Sequence, residues 1–323
     1  MSVKCGAFGT FRVVKERKGE VTLDQTFDNV ILNVGFDALF TPTLYNYRNR
    51  RFRYLFLGTG TTEPSRTDTG LESRSGTLVA KGGSVTNNYC DSNNTDQYHY
   101  FTASFQYSYG EGQAEGVWTE LGVAGDTSYV TPMNRALFRD DLGNAISLTV
   151  LSDEFLTVFY DVTIWTAFMD GTQQTGTTTL NGTSVGYSIH TNPSAWVDTG
   201  GGVTPRNFFG QTDYTSYTVG YFAGGTVLSN GKLSTYGDDH YRLCTDNGAN
   251  TVSSDIVVDP TGSDYTFDRI NFGTSFHSFG RVYPAFEIVF DTPITKLADE
   301  RLTIGTCSLT FVREATDTPP GAA

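Results

Sequence analysis

Residues 54–74, YLFLGTGTTEPSRTDTGLESR, decide how this chain is read. A short apolar run, Tyr54-Leu55-Phe56-Leu57, ends at once at Gly58, Gly60 and Pro64. That is how a buried strand leaves a sheet for an ordered loop. The loop is rich in Thr and Ser, whose hydroxyls can bond local backbone in place of a ladder. It closes on Asp68-Thr69-Gly70-Leu71, a turn signal followed by a new apolar anchor. Gly58, Gly60, Pro64, Asp68 and Gly70 are therefore expected to shape a structural loop. A phosphate site is the competing reading of Gly58-Thr59-Gly60, and it fails. Phosphate loops run into a helix N-terminus and carry a well-placed Lys or a third Gly. Here Glu63 and Pro64 follow, with no Lys nearby.

On the N-terminal side of that loop, residues 46–53 (NYRNRRFR) hold the densest positive charge in the chain, at Arg48, Arg50, Arg51 and Arg53. One reading is a solvated loop whose arginines pair with acids of the same fold. The other is an interface patch, because an acidic chain that assembles with its own copies needs a complementary basic surface. Arginine suits bidentate pairing with carboxylates. Further upstream, residues 1–24 read as one or two strands with a turn at Lys18-Gly19-Glu20. Residues 25–40 are the best helix candidate.

Downstream, residues 75–95 are rich in Gly, Ser and Asn and read as a long surface loop or loose hairpin. Strands are predicted over 98–107, 117–123, 136–138, 146–150 and 156–165, with turns at Gly110-Glu111-Gly112 and Asp140–Asn144. Leu151-Ser152-Asp153-Glu154-Phe155-Leu156-Thr157-Val158 returns as Leu297-Ala298-Asp299-Glu300-Arg301-Leu302-Thr303-Ile304. Two β modules of similar plan would produce this echo, and so would one echoed hairpin in a larger sandwich. The division expected is an N-terminal β module at 1–165, a linker or crossing arm at 166–185, a C-terminal β module at 186–315 and a flexible tail at 316–323.

The whole chain of 323 residues fits this plan. Charged residues make up only 18%, while Gly (35), Phe (23) and Tyr (18) are abundant. Such a composition suits many short strands joined by tight turns. The fold class expected is all-β, as one or two antiparallel β-sandwich or jelly-roll-like modules with Gly-rich loops and one short helix. A formal charge of −13 argues against nucleic acid, whose binding needs phosphates neutralised by Lys and Arg. No apolar run approaches the length of a membrane span. The cysteines, Cys5, Cys90, Cys244 and Cys307, form no CxxC pair, which argues against zinc and for buried thiols kept reduced in a cytoplasm. No cofactor is expected.

The loop also carries a resemblance. The segment 27–39, FDNVILNVGFDAL, precedes GTGTTEPSRTDTGLESR. Thr119-Glu120-Leu121-Gly122-Val123 and Arg135-Ala136-Leu137-Phe138-Arg139 then follow. In this order the motifs resemble structural proteins of tailed bacteriophage virions, over about residues 20–165 and only thinly beyond. The resemblance implies a tail, baseplate, collar or fibre-attachment part, made in the host cytoplasm and carried in the virion's tail or neck. Its implied partners are copies of itself, as a trimer or ring, and other virion proteins. It brings no catalytic residues, and no small-molecule substrate is expected.

Enzymatic readings are weaker. The histidines, His99, His190, His240 and His277, sit in no nucleophile-elbow or protease signature. Asp238-Asp239-His240 places carboxylates beside an imidazole, but adjacent residues in a strand rarely converge on one ion. Glycoside hydrolysis needs two carboxylates at a defined separation. Asp238, Asp239, Asp255, Asp259, Asp264 and Asp268, with Trp196 as a sugar platform, are too many candidates to choose between. A receptor- or glycan-binding tail protein is the main alternative, and a polysaccharide-degrading tail enzyme the lesser one.

Overall fold

A computed structural model describes residues 2–40, 52–81, 88–93, 98–125, 132–167, 174–180, 182–191, 217–224, 245–246, 251–258, 264–276, 281–315 and 317. The described chain is mostly antiparallel β-sheet, so the all-β expectation holds. No helix among the described residues is long and apolar enough to cross a membrane.

The N-terminal hairpin sets the pattern. β1 (Ser2–Arg17) turns through Lys18-Gly19, both at positive φ, into β2 (Glu20–Asp28). Positive φ at both central residues gives a two-residue turn whose twist matches its strands. Phe11 and Val13 of β1 are buried while Arg12 is exposed, and Val14 on the other face is buried as well. The helix expected over 25–40 is shorter. Residues up to 28 remain in β2, β3 (Val30–Ile31) follows, and only α1 (Asn33–Phe40) is helical. The stretch read as one helix holds the end of one strand, a second short strand and one helix.

β4 (Tyr54–Gly58) is the buried strand of the opening stretch, with Leu55, Phe56 and Leu57 fully enclosed. β5 (Arg74–Lys81) and β6 (Asn88–Asn93) replace the surface loop or loose hairpin expected over 75–95, β5 pairing with β4 and β6 with β7. Both lie at sheet edges among the described residues, with charged residues at Arg74, Lys81 and Asp91. β7 (Tyr98–Tyr109) comes next. The strand expected over 117–123 breaks at Thr119 into β8 (Gly116–Trp118) and β9 (Glu120–Ala124), which pair with different partners. β10 (Asn134–Leu137), β11 (Leu148–Val150) and β12 (Glu154–Ala167) complete this part.

The remaining strands are β13 (Thr175–Leu180), β14 (Thr183–Thr191), β15 (Tyr217–Gly224), β16 (Thr245–Asp246), β17 (Thr251–Val258), β18 (Tyr265–Phe276), β19 (Arg281–Lys296) and β20 (Leu302–Arg313). β13 and β14 form a hairpin, so part of the 166–185 segment is sheet.

An eight-stranded sheet runs β16-β17-β20-β1-β12-β7-β6, with β2 added on β1. A five-stranded sheet runs β3-β10-β9-β4-β5, and another runs β13-β14-β19-β18-β15. β8 and β11 pair alone. The two echoed segments open β12 and β20, and both strands pair with β1, β12 antiparallel over Cys5–Arg17 and β20 parallel only over Ser2–Cys5, while the second echo itself lies against β17. Each echo begins with the same turn. Glu154 N donates to Leu151 O while Leu151 N donates to the Glu154 carboxylate; Glu300 and Leu297 repeat both bonds. Strands from both ends of the chain thus share one sheet.

The core lies between the eight-stranded sheet and the β4-containing sheet. Phe11, Phe105, Tyr107, Tyr109, Leu156, Val158 and Tyr160 share one buried face of the first, and Leu55, Leu57, Leu121 and Ala136 share a buried face of the second. Tyr109 donates to Leu55 O at 3.2 Å and Tyr107 donates to Phe52 O, so buried hydroxyls of one sheet satisfy carbonyls beside the other. Rings interlock at the same level, with Phe52 5.4 Å from Phe105 and 5.8 Å from Tyr160. Burial pushes the Tyr107 and Tyr160 phenols well above the usual range. The sole described cysteine side chain, Cys5, is buried and free, its thiol pushed up to about 12 chiefly by burial.

Candidate functional site

The loop after β4 is built on two buried charges from neighbouring strands. Glu120 opens β9 and Arg135 lies in β10; their side chains are 0% and 2% exposed. Arg135 Nε donates to Glu120 Oε2 at 2.8 Å. The same guanidinium reaches Asp68 Oδ2 at 2.7 Å, Glu72 Oε2 at 3.3 Å and Thr62 O at 3.0 Å. Burial pulls the Arg135 pKa down, but the bonds to Asp68 and Glu120 more than reverse it, leaving a net upward shift.

Glu120 takes up the loop's main-chain donors. Its Oε1 accepts from Gly60 N (3.0 Å) and Ser73 N (2.7 Å), and its Oε2 also accepts from Glu72 N (3.0 Å). Glu72 Oε2 accepts from Thr61 N, Thr62 N and the Thr62 hydroxyl, all within 2.9 Å. Those Thr62 bonds, aided by the Thr61 N–H and Arg135 and opposed by burial, hold the Glu72 carboxyl below its usual range. Thr119 Oγ1 donates to Gly60 O at 2.7 Å, and Thr59 N donates to Ser73 O at 2.9 Å. The loop has its own internal frame and is fastened from beneath.

The expected loop residues take distinct places. Gly58 and Gly60 let the backbone pass against Glu120; a Cβ on Gly60 would sit 2.5 Å from Glu72 Cβ and 2.6 Å from Glu120 Oε1. Asp68 accepts from Ser65 N at 3.0 Å and pairs with Arg135. Pro64 and Gly70 are half-buried on the loop. Of the arginine patch, Arg48, Arg50 and Arg51 lie outside the described residues. Arg53 is half-buried with its guanidinium 5.1 Å from the Tyr54 ring centroid. Asp238, Asp239, Asp259, Trp196, His240 and His277 also lie outside the described residues. Asp264 accepts from Ala298 N at 3.0 Å beside the second echoed turn, a structural contact. Among the described residues no group of three or more His, Cys, Asp or Glu is placed to hold a metal.

Sequence reasoning missed a second cluster. Arg313, at the end of β20, donates to Asp317 Oδ1 (2.9 Å), Ile31 O (2.7 Å) and Asn33 Oδ1 (2.8 Å). Arg66, from the loop, reaches Asp317 at 3.2 Å and Glu314 O at 3.3 Å. Trp165 Nε1 donates to Asp317 O at 2.6 Å. Asp317, inside the segment expected to be a flexible tail, is thus bonded to its own chain and to the loop, while residues 316 and 318–323 lie outside the described residues. The signal available in sequence was Arg313 and Asp317 four residues apart.

No protein-family model, curated protein or solved structure matches the chain.

Proposed function

We propose that the chain is a non-catalytic structural component of a tailed-phage virion, working by self-oligomerisation and by docking to other tail, collar or baseplate proteins. One observation carries the reading. The motifs that bear the resemblance lie far apart in sequence, yet Gly60, Thr62, Asp68 and Glu72 of the loop meet Glu120 and Arg135 of the two later motifs in one cluster. Their charged atoms are bonded to one another, which favours holding a surface in shape over acting on a substrate. A loop of fixed shape on a sheet-rich body suits repeated contacts between identical parts. The protein is made in the host cytoplasm and ends in the tail or neck of the particle. No cofactor, nucleic acid or membrane belongs to this reading.

Light scattering on the purified full chain at two salt concentrations tests it. A discrete oligomer is expected, and weakening with salt would implicate charge pairing, with the arginine patch first. A monomer at high concentration that binds or cleaves host surface polysaccharide would overturn the reading in favour of a glycan-binding or depolymerising tail protein.

A further inference from the structure

The proposed self-assembly needs a surface on which acidic copies can meet, and the edge of the third sheet offers one. β13 is the outermost strand of the sheet β13-β14-β19-β18-β15. It pairs with β14 along its whole length, from Thr175↔Ser188 to Leu180↔Thr183. Among the described residues no strand lies on its other side.

The pairing fixes which backbone groups face outward. Ile189 N donates to Gln174 O at 2.9 Å, so the positions facing β14 in the ladder are 174, 176, 178 and 180. The N–H and C=O groups of Thr175, Thr177 and Thr179 therefore point away from the sheet. The side chains of these three threonines are exposed. Tyr187 lies across Gly176, where a Cβ would come 2.6 Å from its ring, so an aromatic covers the strand's weakest position and keeps the edge ordered.

Folded proteins normally guard such an edge with charge, proline or a bulge. Other edges here are guarded by charge (Glu20, Asp24 and Asp28 on β2, Arg74 and Lys81 on β5, Asp91 on β6, Asp246 on β16) or, as β3, β8 and β11 are, by being only two or three residues long. β15 is neutral but lies beside β17. β13 has none of these guards, and residues 171–197 contain no Asp, Glu, Lys or Arg in a chain of net charge −13. An edge without charge is where like-charged copies meet with least repulsion.

We propose that β13 is a homotypic interface, pairing antiparallel with β13 of a second copy across a two-fold axis. Centring the pair on Thr177 sets Thr175 against Thr179 of the second copy and offers about six main-chain hydrogen bonds by the antiparallel pairing rule. Threonine then faces threonine at the outward-bonding positions 175, 177 and 179, with Gly176 opposite Thr178. The chain already uses that cross-strand contact internally, at Thr102–Thr163 (2.6 Å) and Thr266–Thr295 (3.0 Å). The sheet becomes continuous through both copies, a closed contact that does not propagate.

This inference rests on the self-assembly reading, and the experiment separates the two. Full-length wild type, Thr177→Pro, Thr177→Lys and the charge-matched control Ser152→Lys are compared by light scattering over a concentration series, with circular dichroism to confirm folding. Proline at 177 removes an outward N–H and leaves the β13–β14 bonds intact; lysine at 177 places like charges on the axis. The wild type and Ser152→Lys are expected to share one oligomer mass, while both Thr177 variants shift association at least tenfold toward half that mass. Hydrogen exchange in the wild-type oligomer should protect the amides of Thr175, Thr177 and Thr179. A wild-type oligomer unchanged by both Thr177 variants, with those amides exchanging rapidly, would overturn the β13 interface alone. A wild type that stays monomeric throughout would overturn the self-assembly reading with it.

Discussion

Arg135 and Glu120 face each other in the interior, Nε to Oε2 at 2.8 Å, with almost no exposure to solvent. Two charges taken out of water are stabilising only when their remaining donors and acceptors are met as well. Here they are met by the loop: each charge bonds a different part of residues 60–73, so one ion pair fixes a whole surface segment. The distance between the residues in sequence is what makes them useful. Neither could organise the loop from within it.

Removing one partner should therefore be severe. Glu120→Ala leaves a buried guanidinium underpaired and strips the acceptor from the N–H groups of Gly60, Glu72 and Ser73. A loss of about 3–5 kcal/mol is expected, read as a lower urea midpoint with an unchanged slope. Replacing both charges, as Glu120→Leu with Arg135→Met, should recover only part of that loss, because the three loop N–H groups still lack an acceptor. Full recovery by the double variant would show that the loop does not depend on Glu120.

Gly60 tests the same packing sterically. A methyl group there would press on Glu72 and Glu120 at 2.5–2.7 Å. Gly60→Ala should cost about 1–3 kcal/mol, the usual effect of overfilling a packed site. Gly76→Ala, on the exposed part of β5 with nothing within 4 Å, is the control and should be near neutral. Equal denaturation midpoints for the two variants would contradict the close passage of backbone over Glu120.

Acid should find a second weak point at Glu154. Burial alone would raise its pKa, but the Leu151 N–H and the Lys15 ammonium, at 3.0 Å, outweigh it and leave a net downward shift from 4.5. A carboxyl lowered on folding contributes stability that is present above its unfolded value and lost as pH falls through the folded one. Glu72 adds to the same slope with the same sign. Urea midpoints should hold down to about pH 5 and then fall. Glu154→Gln should be less stable at neutral pH and show a flatter acid limb. An acid limb identical to wild type would assign the loss to other carboxylates.

How far this could be read beforehand depended on range. The β1–β2 hairpin, the strand before the loop and the Asp140–Asn144 turn were legible because their signals are local: alternation, positive-φ turn residues, and an Asp whose carboxylate accepts from Leu142 and Asn144. Gly60 and Asp68 were legible as loop residues, whereas Gly58 closes β4. That Glu120 and Arg135 meet beneath it was not, because nothing in local spacing reports a contact across 60 residues. β5 and β6 were missed for a related reason. RSGTLVAK and NYCDSN carry the Gly, Ser and Asn that elsewhere mark turns, so their composition resembles that of a loop. The echo at Leu151 and Leu297 was visible as a repeat, but its structural meaning, one capped turn used twice to open β12 and β20, emerges only from the structure.

The C-terminal clasp gives the last prediction. Asp317 is the shared acceptor for Arg313 and Arg66, and its main-chain oxygen takes the Trp165 indole N–H. Burial pulls the Arg313 guanidinium down from its usual range, with Asp317 opposing. Asp317→Ala would leave two arginines close together with their common counter-charge gone. A cost of about 1–2 kcal/mol is expected, small because the pair is partly solvated. The larger effect should be local: carboxypeptidase should digest the tail back toward Arg313 faster than in wild type. Asp317→Asn, which keeps an acceptor oxygen and loses the charge, should fall between the two. High salt should speed digestion of the wild type and change the alanine variant little, since screening acts on a charge pair that the variant lacks. Equal digestion of all three proteins would mean that Asp317 does not hold the tail.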